Sequence, residues 1–286
     1  MLKIAIVVDS SAGLSKQEAT KNNWFFIPLM IFFDDKKLAD GIDITSDNLF
    51  DHYNLESGSA KTSATPIGIA QDTFEKLSSE YDYVLVFPIS KYLSSQAAML
   101  ESAAKDFANV RVIQSVYVAH LISLKVKEFE SMIQKGFSFE EAANQIEKWD
   151  DQIDVTLVPK YNDYLVKGGR LSPAAATLAK LLQIVPMIKF TDGSLVKEGK
   201  GRIFSKTIQK VIDSKFENLT DIENYDCVIL HSGNLEISQY VEYLTSKYNI
   251  VPYISSLANV IAMHTGPEAI VIIKLPKLSE SQKALF

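Results

Sequence analysis

The amino-acid sequence predicts a two-domain α/β protein, with a largely parallel sheet flanked by helices in the first domain and a mixed sheet in the second. Short apolar runs rich in β-branched residues recur along the first half, as in residues 4–8, and helical stretches separate them. Strands that alternate with helices are typical of parallel sheets joined by crossovers. In the second half, Asp192-Gly193 separates two strand-like runs, and this pair indicates an antiparallel hairpin because it accommodates the positive φ of a tight turn.

The length of the chain, 286 residues, favours two domains. No stretch rich in Pro, Gly or Ser marks a linker between them. We place the boundary where a helix-rich stretch ends at Asp150-Asp151, so that the domains cover residues 1–152 and 153–286.

Strands and helices of the first domain follow from the periodicity of its apolar residues. Strands are predicted at 4–8, 25–33, 83–87 and 110–113, and helices at 14–22, 48–54, 69–77, 96–107, 117–136 and 139–151. Pro28 lies inside the second strand-like run, which should therefore be broken or lie at a sheet edge. Residues 34–37 are expected to form a turn, and residues 40–45 the returning strand of a hairpin.

The second domain is expected to hold strands at 155–158, 186–190, 195–198, 227–231 and 269–273, a short strand or turn at 254–257, and helices at 174–182, 205–216 and 236–247.

Composition excludes several classes of function. The net charge is −6 with both signs interspersed, which argues against a nucleic-acid binder. Cys227 is the only cysteine and the four histidines are scattered, so neither an internal disulfide nor a metal site is expected. The longest apolar run, residues 24–33, is about half of a ~20-residue membrane span, and the N-terminus lacks the pattern of a signal peptide. We therefore expect a soluble, cytoplasmic protein.

The stretch Lys167-Gly168-Gly169-Arg170-Leu171-Ser172-Pro173 combines a tight turn with the start of a helix. By itself, so short a motif favours an ordinary turn that carries a surface arginine. Alternatively, the turn holds the Arg170 guanidinium as a rigid fork of donors for an anion.

Hydroxyl side chains cluster where predicted strands end or loops begin. They are Ser10-Ser11, Thr62-Ser63, Ser94-Ser95 and Ser115. Each cluster either caps a helix or binds an anion or carbonyl group. A phosphate-binding loop and a GxSxG nucleophile motif are both absent from the sequence, so we expect no catalytic residues and no nucleotide site.

Several short motifs occur together over nearly the whole chain. In order, they are Val8-Asp9-Ser10-Ser11, Ile27-Pro28-Leu29, Asp40-Gly41-Ile42-Asp43-Ile44, Thr62-Ser63, Leu93-Ser94, Gly168-Gly169-Arg170-Leu171-Ser172, Asp192-Gly193 and His264-Thr265-Gly266-Pro267. Their order and spacing resemble the DegV family, whose members bind fatty acids. Some members serve as the acyl-binding subunit of bacterial fatty-acid kinase.

The resemblance implies two α/β domains that enclose a long-chain fatty acid in an apolar tunnel. It implies that Thr62 and Ser94 bind the carboxylate, with Ser63, Ser95 and His264 beside them. Gly168, Gly169 and Arg170, together with Arg202, would face the headgroup or the kinase; these nine residues are the predicted site.

The partners implied by the resemblance are the fatty acid and a separate kinase subunit, with transient membrane-surface contact during lipid exchange. No cofactor, metal or nucleic acid is implied, and the chain would be a lipid-binding protein rather than an enzyme.

The chain departs from the family pattern at four places. Ala64-Thr65-Pro66 replaces the usual Gln-Pro-Ser, and Ser95-Gln96-Ala97 replaces Gly-Thr-Tyr. Val185 replaces a lysine, and Glu268 replaces the glycine after His-Thr-Gly-Pro. These departures keep a second hypothesis open, a carrier or sensor without a kinase partner. A hydrolase that uses Ser94 or Ser95 with His264 is a third, although no carboxylate partner for the histidine is identifiable.

Overall fold

The computed structural model describes residues 2–33, 36–58, 60–170 and 184–286. Its strands are β1 (Ile4–Asp9), β2 (Phe25–Ile27), β3 (Met30–Phe33), β4 (Lys36–Ala39), β5 (Ala60–Ser63), β6 (Tyr83–Phe87), β7 (Val110–Val112), β8 (Asp154–Val158), β9 (Val185–Thr191), β10 (Ser194–Gly201), β11 (Tyr225–His231), β12 (Tyr253–Ser256) and β13 (Ile270–Pro276).

The described helices are α1 (Lys16–Lys21), α2 (Leu49–His52), α3 (Ile67–Glu80), α4 (Gln96–Ala104), α5 (His120–Gln134), α6 (Phe139–Ile146), α7 (Asn162–Lys167), α8 (Phe204–Phe216), α9 (Ile237–Tyr248), α10 (Asn259–Thr265) and α11 (Glu280–Lys283). In the part of the chain that the structure describes, none of them is long and apolar enough to cross a membrane.

The strands form three sheets, and the α/β fold class predicted from the sequence is confirmed. The first half contains a parallel sheet in the order β2-β1-β6-β7 and a small antiparallel sheet in the order β4-β3-β5. The second half contains a mixed six-stranded sheet in the order β10-β9-β8-β13-β11-β12. Among the described residues no strand pairing joins the halves, although the boundary between residues 152 and 153 stays a prediction.

Side-chain alternation gives each large sheet two buried faces. On β1, Val7 points toward α3 and α4, whereas Val8 points into the main hydrophobic core. On β13, Ile272 packs among residues of α8 and α9, and its neighbours Val271 and Ile273 enter that same main core. The main core is therefore a shared layer between the two sheets.

Most predicted elements are present with small shifts of their ends, but the region around Asp40 was predicted wrongly. Residues 36–39 form strand β4, and its first two residues fall in the predicted turn 34–37. The stretch from Asp40 to Ile44 is a turn closed by a single bridge, and it contains Gly41 at φ +73°. A side chain at Gly41 would meet the Phe26 ring at 2.8 Å, so this position needs glycine for space as well as for conformation. The predicted turn residues 34–35 and the predicted helix 174–182 lie outside the described residues.

Candidate functional site

A cavity lies inside the shared layer, between the inward face of the six-stranded sheet and the first half of the chain. Its empty space amounts to about 950 Å³, counting the solvent at its mouth. The described apolar lining residues are Leu29, Ile89, Leu93, Val118, Ala119, Leu121, Val155, Leu157, Leu165, Phe190, Leu195, Leu230, Leu257, Val260, Ile261, Val271 and Ile273. Both halves of the chain contribute residues to this wall.

Few polar side chains reach the cavity. Among the described residues they are Thr62, Ser94, Arg170, His264 and Thr265. The first four were predicted as site residues, and they come from four separate places in the chain: strand β5, the loop before α4, the turn after α7, and helix α10. The structure thus brings together residues up to 202 positions apart in sequence.

Thr62 and His264 form the contact at the centre of this polar group. The Thr62 Oγ1 lies 3.0 Å from His264 Nε2, and His264 is only 9% exposed. Burial, together with the charge of Arg170, lowers the pKa of His264 to about 4, so the ring is neutral at pH 7. In the tautomer that carries its proton on Nε2, the ring donates to Thr62, and the hydroxyl proton of Thr62 is then available to a ligand.

The other ring nitrogen of His264 is enclosed by the Gly-Gly-Arg turn. Its Nδ1 is buried and has no hydrogen-bond partner in the described part of the chain. A Cβ atom built on Gly168 would lie 2.3 Å from that nitrogen, so the ring occupies the space that a side chain would need. Gly168 therefore serves the site by letting the histidine approach the backbone.

Ser94 lies half-buried at the cavity wall. Its Oγ accepts the backbone N–H of Gln96 at 3.2 Å, and its own backbone N–H donates to the Ser90 carbonyl. In this contact the Ser94 oxygen is the acceptor, so the Ser94 O–H group can still donate to another atom. Thr62 and Ser94 can thus both offer O–H groups to an acceptor inside the cavity.

Arg170 follows helix α7, whose C-cap is Gly168, with Gly169 in the left-handed region at φ +72°. The guanidinium is exposed, and one of its nitrogens donates to the Gly168 carbonyl at 2.7 Å. Lys167, the first residue of the motif, donates from Nζ to the carbonyls of Asn54 and Leu55 at 3.1 and 3.2 Å. The turn is therefore attached to the first half of the chain, whereas residues 171–173 of the motif lie outside the described part.

Of the nine predicted site residues, Gly168 and Gly169 lie in the turn that carries Arg170 without lining the cavity, and three others are not brought to it. Ser63 is exposed and its hydroxyl donates to the Ala64 carbonyl, and Ser95 is exposed at the start of α4. Arg202 lines a separate surface depression with Lys200. Their assignment to the site stays a prediction.

Sequence analysis named Asp9 within a family motif but gave it no role at the site. The buried carboxylate of Asp9 accepts the backbone N–H of Ile89, a cavity residue, at 2.9 Å. Burial raises the pKa of Asp9 to about 6, although hydrogen bonds from Ser11, Ile89 and Gln96 oppose that rise. Its position at the end of β1 was the available signal, because ligand sites of parallel sheets lie at such ends.

Comparison with known sequences decides the family. The sequence model of the DegV family of uncharacterised proteins matches residues 3–277. The chain belongs to the DegV family. A DegV domain-containing protein from Mycoplasmopsis pulmonis is 44% identical over 272 residues, which is 95% of this chain and 94% of that protein. Another DegV domain-containing protein, from Staphylococcus aureus, is 27% identical and covers 97% of this chain and 100% of its own.

Solved structures of DegV proteins share the fold. A fatty-acid-binding DegV family protein from Streptococcus agalactiae has a TM-score of 0.83 at 25% identity, covering 97% of this chain and 100% of that one. DegV from Bacillus subtilis, described as a fatty acid binding protein, has a TM-score of 0.81 at 24% identity with the same coverage. A stearic acid-binding protein from Eubacterium ventriosum has a TM-score of 0.80 at 24% identity, covering 97% of this chain and 99% of that one.

Proposed function

We propose that this DegV protein binds one long-chain fatty acid in the cavity, with the carboxyl group at Thr62, Ser94 and His264. One observation carries the proposal: the described wall is apolar except for a small polar group centred on the 3.0 Å contact between Thr62 and His264. An occupant that is apolar over most of its length and polar at one end matches that distribution. The descriptions of the similar solved proteins as fatty-acid binders support the same ligand class.

The apolar wall and the hydroxyl groups of the cavity contribute differently to binding. A buried methylene contributes ~0.8 kcal/mol, so a long acyl chain contributes roughly 10 kcal/mol in gross transfer free energy. A neutral hydrogen bond adds only about 1 kcal/mol net. The apolar wall then supplies most of the affinity, and the hydroxyls fix the position and identity of the headgroup.

Lipid extraction of the purified protein followed by mass spectrometry tests this proposal. We expect about one fatty acid per chain. Val271→Phe, which narrows the cavity, should retain much less lipid, because an added ring occupies the ligand's space. Ile272→Phe is the matched control, since the neighbouring side chain overpacks the opposite face of the sheet. If the parent protein carries no fatty acid and binds none when it is added, the proposal is wrong.

A finer proposal is that the chain presents the carboxyl group to a separate kinase subunit, which forms the acyl phosphate. The exposed guanidinium of Arg170 beside the polar group supports this role. A cytoplasmic location and transient contact with membrane surfaces during lipid exchange belong to the same proposal.

The alternative is a fatty-acid carrier or sensor without a kinase. Phosphorylation of bound lipid by a fatty-acid kinase catalytic subunit would exclude it. A hydrolase would need a carboxylate at Nδ1 of His264, but this nitrogen faces Gly168 and has no partner among the described residues. The surroundings of His264 therefore favour binding over hydrolysis.

A further inference from the structure

Two buried side chains behind the polar group, Thr65 and Gln96, hydrogen-bond to each other, and Gln96 also hydrogen-bonds the buried carboxylate of Asp9. The amide oxygen of Gln96 accepts the backbone N–H of Thr65 at 2.9 Å, and the amide nitrogen of Gln96 donates to Thr65 Oγ1 at 2.8 Å. The Thr65 hydroxyl in turn donates to the Pro28 carbonyl at 2.9 Å. Gln96 is fully buried and Thr65 is 2% exposed. Such a fully satisfied buried network has one preferred geometry, because any displacement leaves polar atoms without partners.

This pair joins the two segments that carry Thr62 and Ser94, the residues whose hydroxyls bind the ligand in the proposed function. Thr65 follows Thr62 by three residues, directly after strand β5. Gln96 follows Ser94 by two residues, begins helix α4, and donates its backbone N–H to Ser94 Oγ. Pro28, the third member, precedes the cavity residue Leu29. Neither Thr65 nor Gln96 lines the cavity in the described part, so both act through other residues.

We infer that Thr65 and Gln96 are positioning residues that set the distance between the hydroxyls of Thr62 and Ser94, and thereby the preference of the site for a carboxylate. The inference rests on the proposed function. Two hydroxyls can donate to the two oxygens of one carboxylate only if the distance between the hydroxyls suits the distance between those oxygens. A primary alcohol has a single oxygen, so its binding depends less on the distance between the two hydroxyls. Loss of the hydrogen-bonded pair of Thr65 and Gln96 should therefore weaken carboxylate binding more than alcohol binding.

The test compares palmitic acid with 1-hexadecanol on the full chain after removal of bound lipid. Thr65→Val removes the hydroxyl, Thr65→Ser retains it, and Gln96→Leu removes the amide. We expect Thr65→Val and Gln96→Leu each to lower the ratio of acid to alcohol affinity by about threefold to tenfold. Either change removes buried hydrogen bonds of the Thr65–Gln96 pair. Alcohol affinity should stay within about twofold of the parent value, and Thr65→Ser should restore the parent ratio.

Ser123→Ala is the matched control, because Ser123 is fully buried and donates to the Ala12 carbonyl at 2.8 Å, away from the cavity lining. Its acid-to-alcohol ratio should equal that of the parent. If the affinities for acid and alcohol fall together, or if Ser123→Ala lowers the ratio as much, the pair is only structural and the inference is wrong. If Gln96→Leu does not fold, the comparison of Thr65→Val with Thr65→Ser decides alone. Failure of the parent protein to bind either probe instead overturns the proposed function, and the inference with it.

Discussion

Individual residues show how far the sequence determined the site. Thr62, Ser94, Arg170 and His264 were expected together through the family resemblance, and the structure places all four at one cavity. The departure at Glu268 has a backbone cost, because this residue has φ +58°, a conformation that favours the family's glycine, while its carboxylate gains an ion pair with Lys160.

Two other departures, at Thr65 and Gln96, could not be interpreted singly. Each is an ordinary polar residue in the sequence, and their meaning lies in a contact between positions 31 residues apart. Contacts of this kind depend on the tertiary fold, so residue patterns alone did not predict the pair.

At the residue scale, Gly168→Ala should disturb the site through His264. The added methyl would lie 2.3 Å from Nδ1, so the ring must move and its contact with Thr62 is lost. We expect a loss of about 1–3 kcal/mol in the free energy of unfolding, typical of overpacking at a buried position. Chemical denaturation measures the stability, and titration with palmitic acid should show weaker binding.

Gly169→Ala is the control for this prediction, because a Cβ there meets open space and the cost comes only from its positive φ. The double variant Gly168→Ala, His264→Ala should remove most of the steric penalty, since the smaller side chain leaves room for the methyl group. A penalty that persists unchanged without the imidazole would show that the ring is not its cause.

At the element scale, the sequence predicted strands with strong apolar runs and missed elements that tertiary contacts create. Strand β6 was predicted at its observed bounds from five consecutive β-favouring residues. Strand β5 has the sequence Ala-Lys-Thr-Ser and becomes a strand by pairing with β3, where Thr62 faces Ile31. Helix α10 was missed because it is short and buried on nearly all sides, which leaves no periodic polar face.

Helix α10 matters because it carries His264 near one end and is held to the first half at the other. Asn259, its first residue, donates to the Asp40 carboxylate at 2.8 Å and to the Ile44 carbonyl at 3.2 Å. Burial raises the pKa of Asp40 to about 6, and the charge of Asp9 adds to that rise. This contact between the halves therefore has a carboxyl group whose protonation falls in an accessible pH range.

Asp40→Asn should change the pH dependence of stability. A carboxyl group whose pKa is higher in the folded state than in the unfolded state stabilises the fold at low pH, and this contribution is lost as the pH rises through about 6. Relative to the asparagine variant, the parent should gain about 1–2 kcal/mol in free energy of unfolding between pH 7 and pH 4.5. Urea denaturation at several pH values measures the difference between the two proteins.

The comparison between variants is needed because other groups titrate in the same range. Burial lowers the pKa of His120 and of His264 to about 4, which acts in the opposite direction in both proteins. Ser123→Ala provides a variant without a titratable change, and its stability difference from the parent should stay constant across pH. A constant difference for Asp40→Asn as well would contradict the raised pKa.

At the scale of the whole molecule, the cavity follows from two sheets that each bury both faces. The sequence shows the apolar strands, but it does not show that the odd-numbered positions of β8 and β13 face the first half while the even-numbered positions of β13 face α8 and α9. The tunnel was therefore implied only by resemblance. The extent of the cavity depends on packing across the halves that no local pattern encodes.

The position of Arg170 leads to the prediction that separates binding from presentation. Its guanidinium is exposed while the apolar wall lies deeper, so Arg170→Ala should leave the affinity for palmitic acid within about threefold of the parent value. Phosphorylation of the bound lipid by a fatty-acid kinase catalytic subunit should fall at least about tenfold, because the anionic headgroup and phosphate donor lose their nearby cation. Equilibrium binding and a coupled kinase assay on the same preparations measure the two effects.

Arg111→Ala is the matched control, since Arg111 pairs with Glu140 and Glu147 on the first half, away from the cavity. It should change neither binding nor phosphorylation. Equal loss of both activities in Arg170→Ala would assign Arg170 to lipid binding itself, and unchanged phosphorylation would remove it from the kinase-facing surface.

The exposed Arg202, which lies in its own depression with Lys200, can be compared in the same assay. A decrease for Arg202→Ala in phosphorylation alone would extend the kinase-facing surface beyond the mouth of the cavity, as the family resemblance implied.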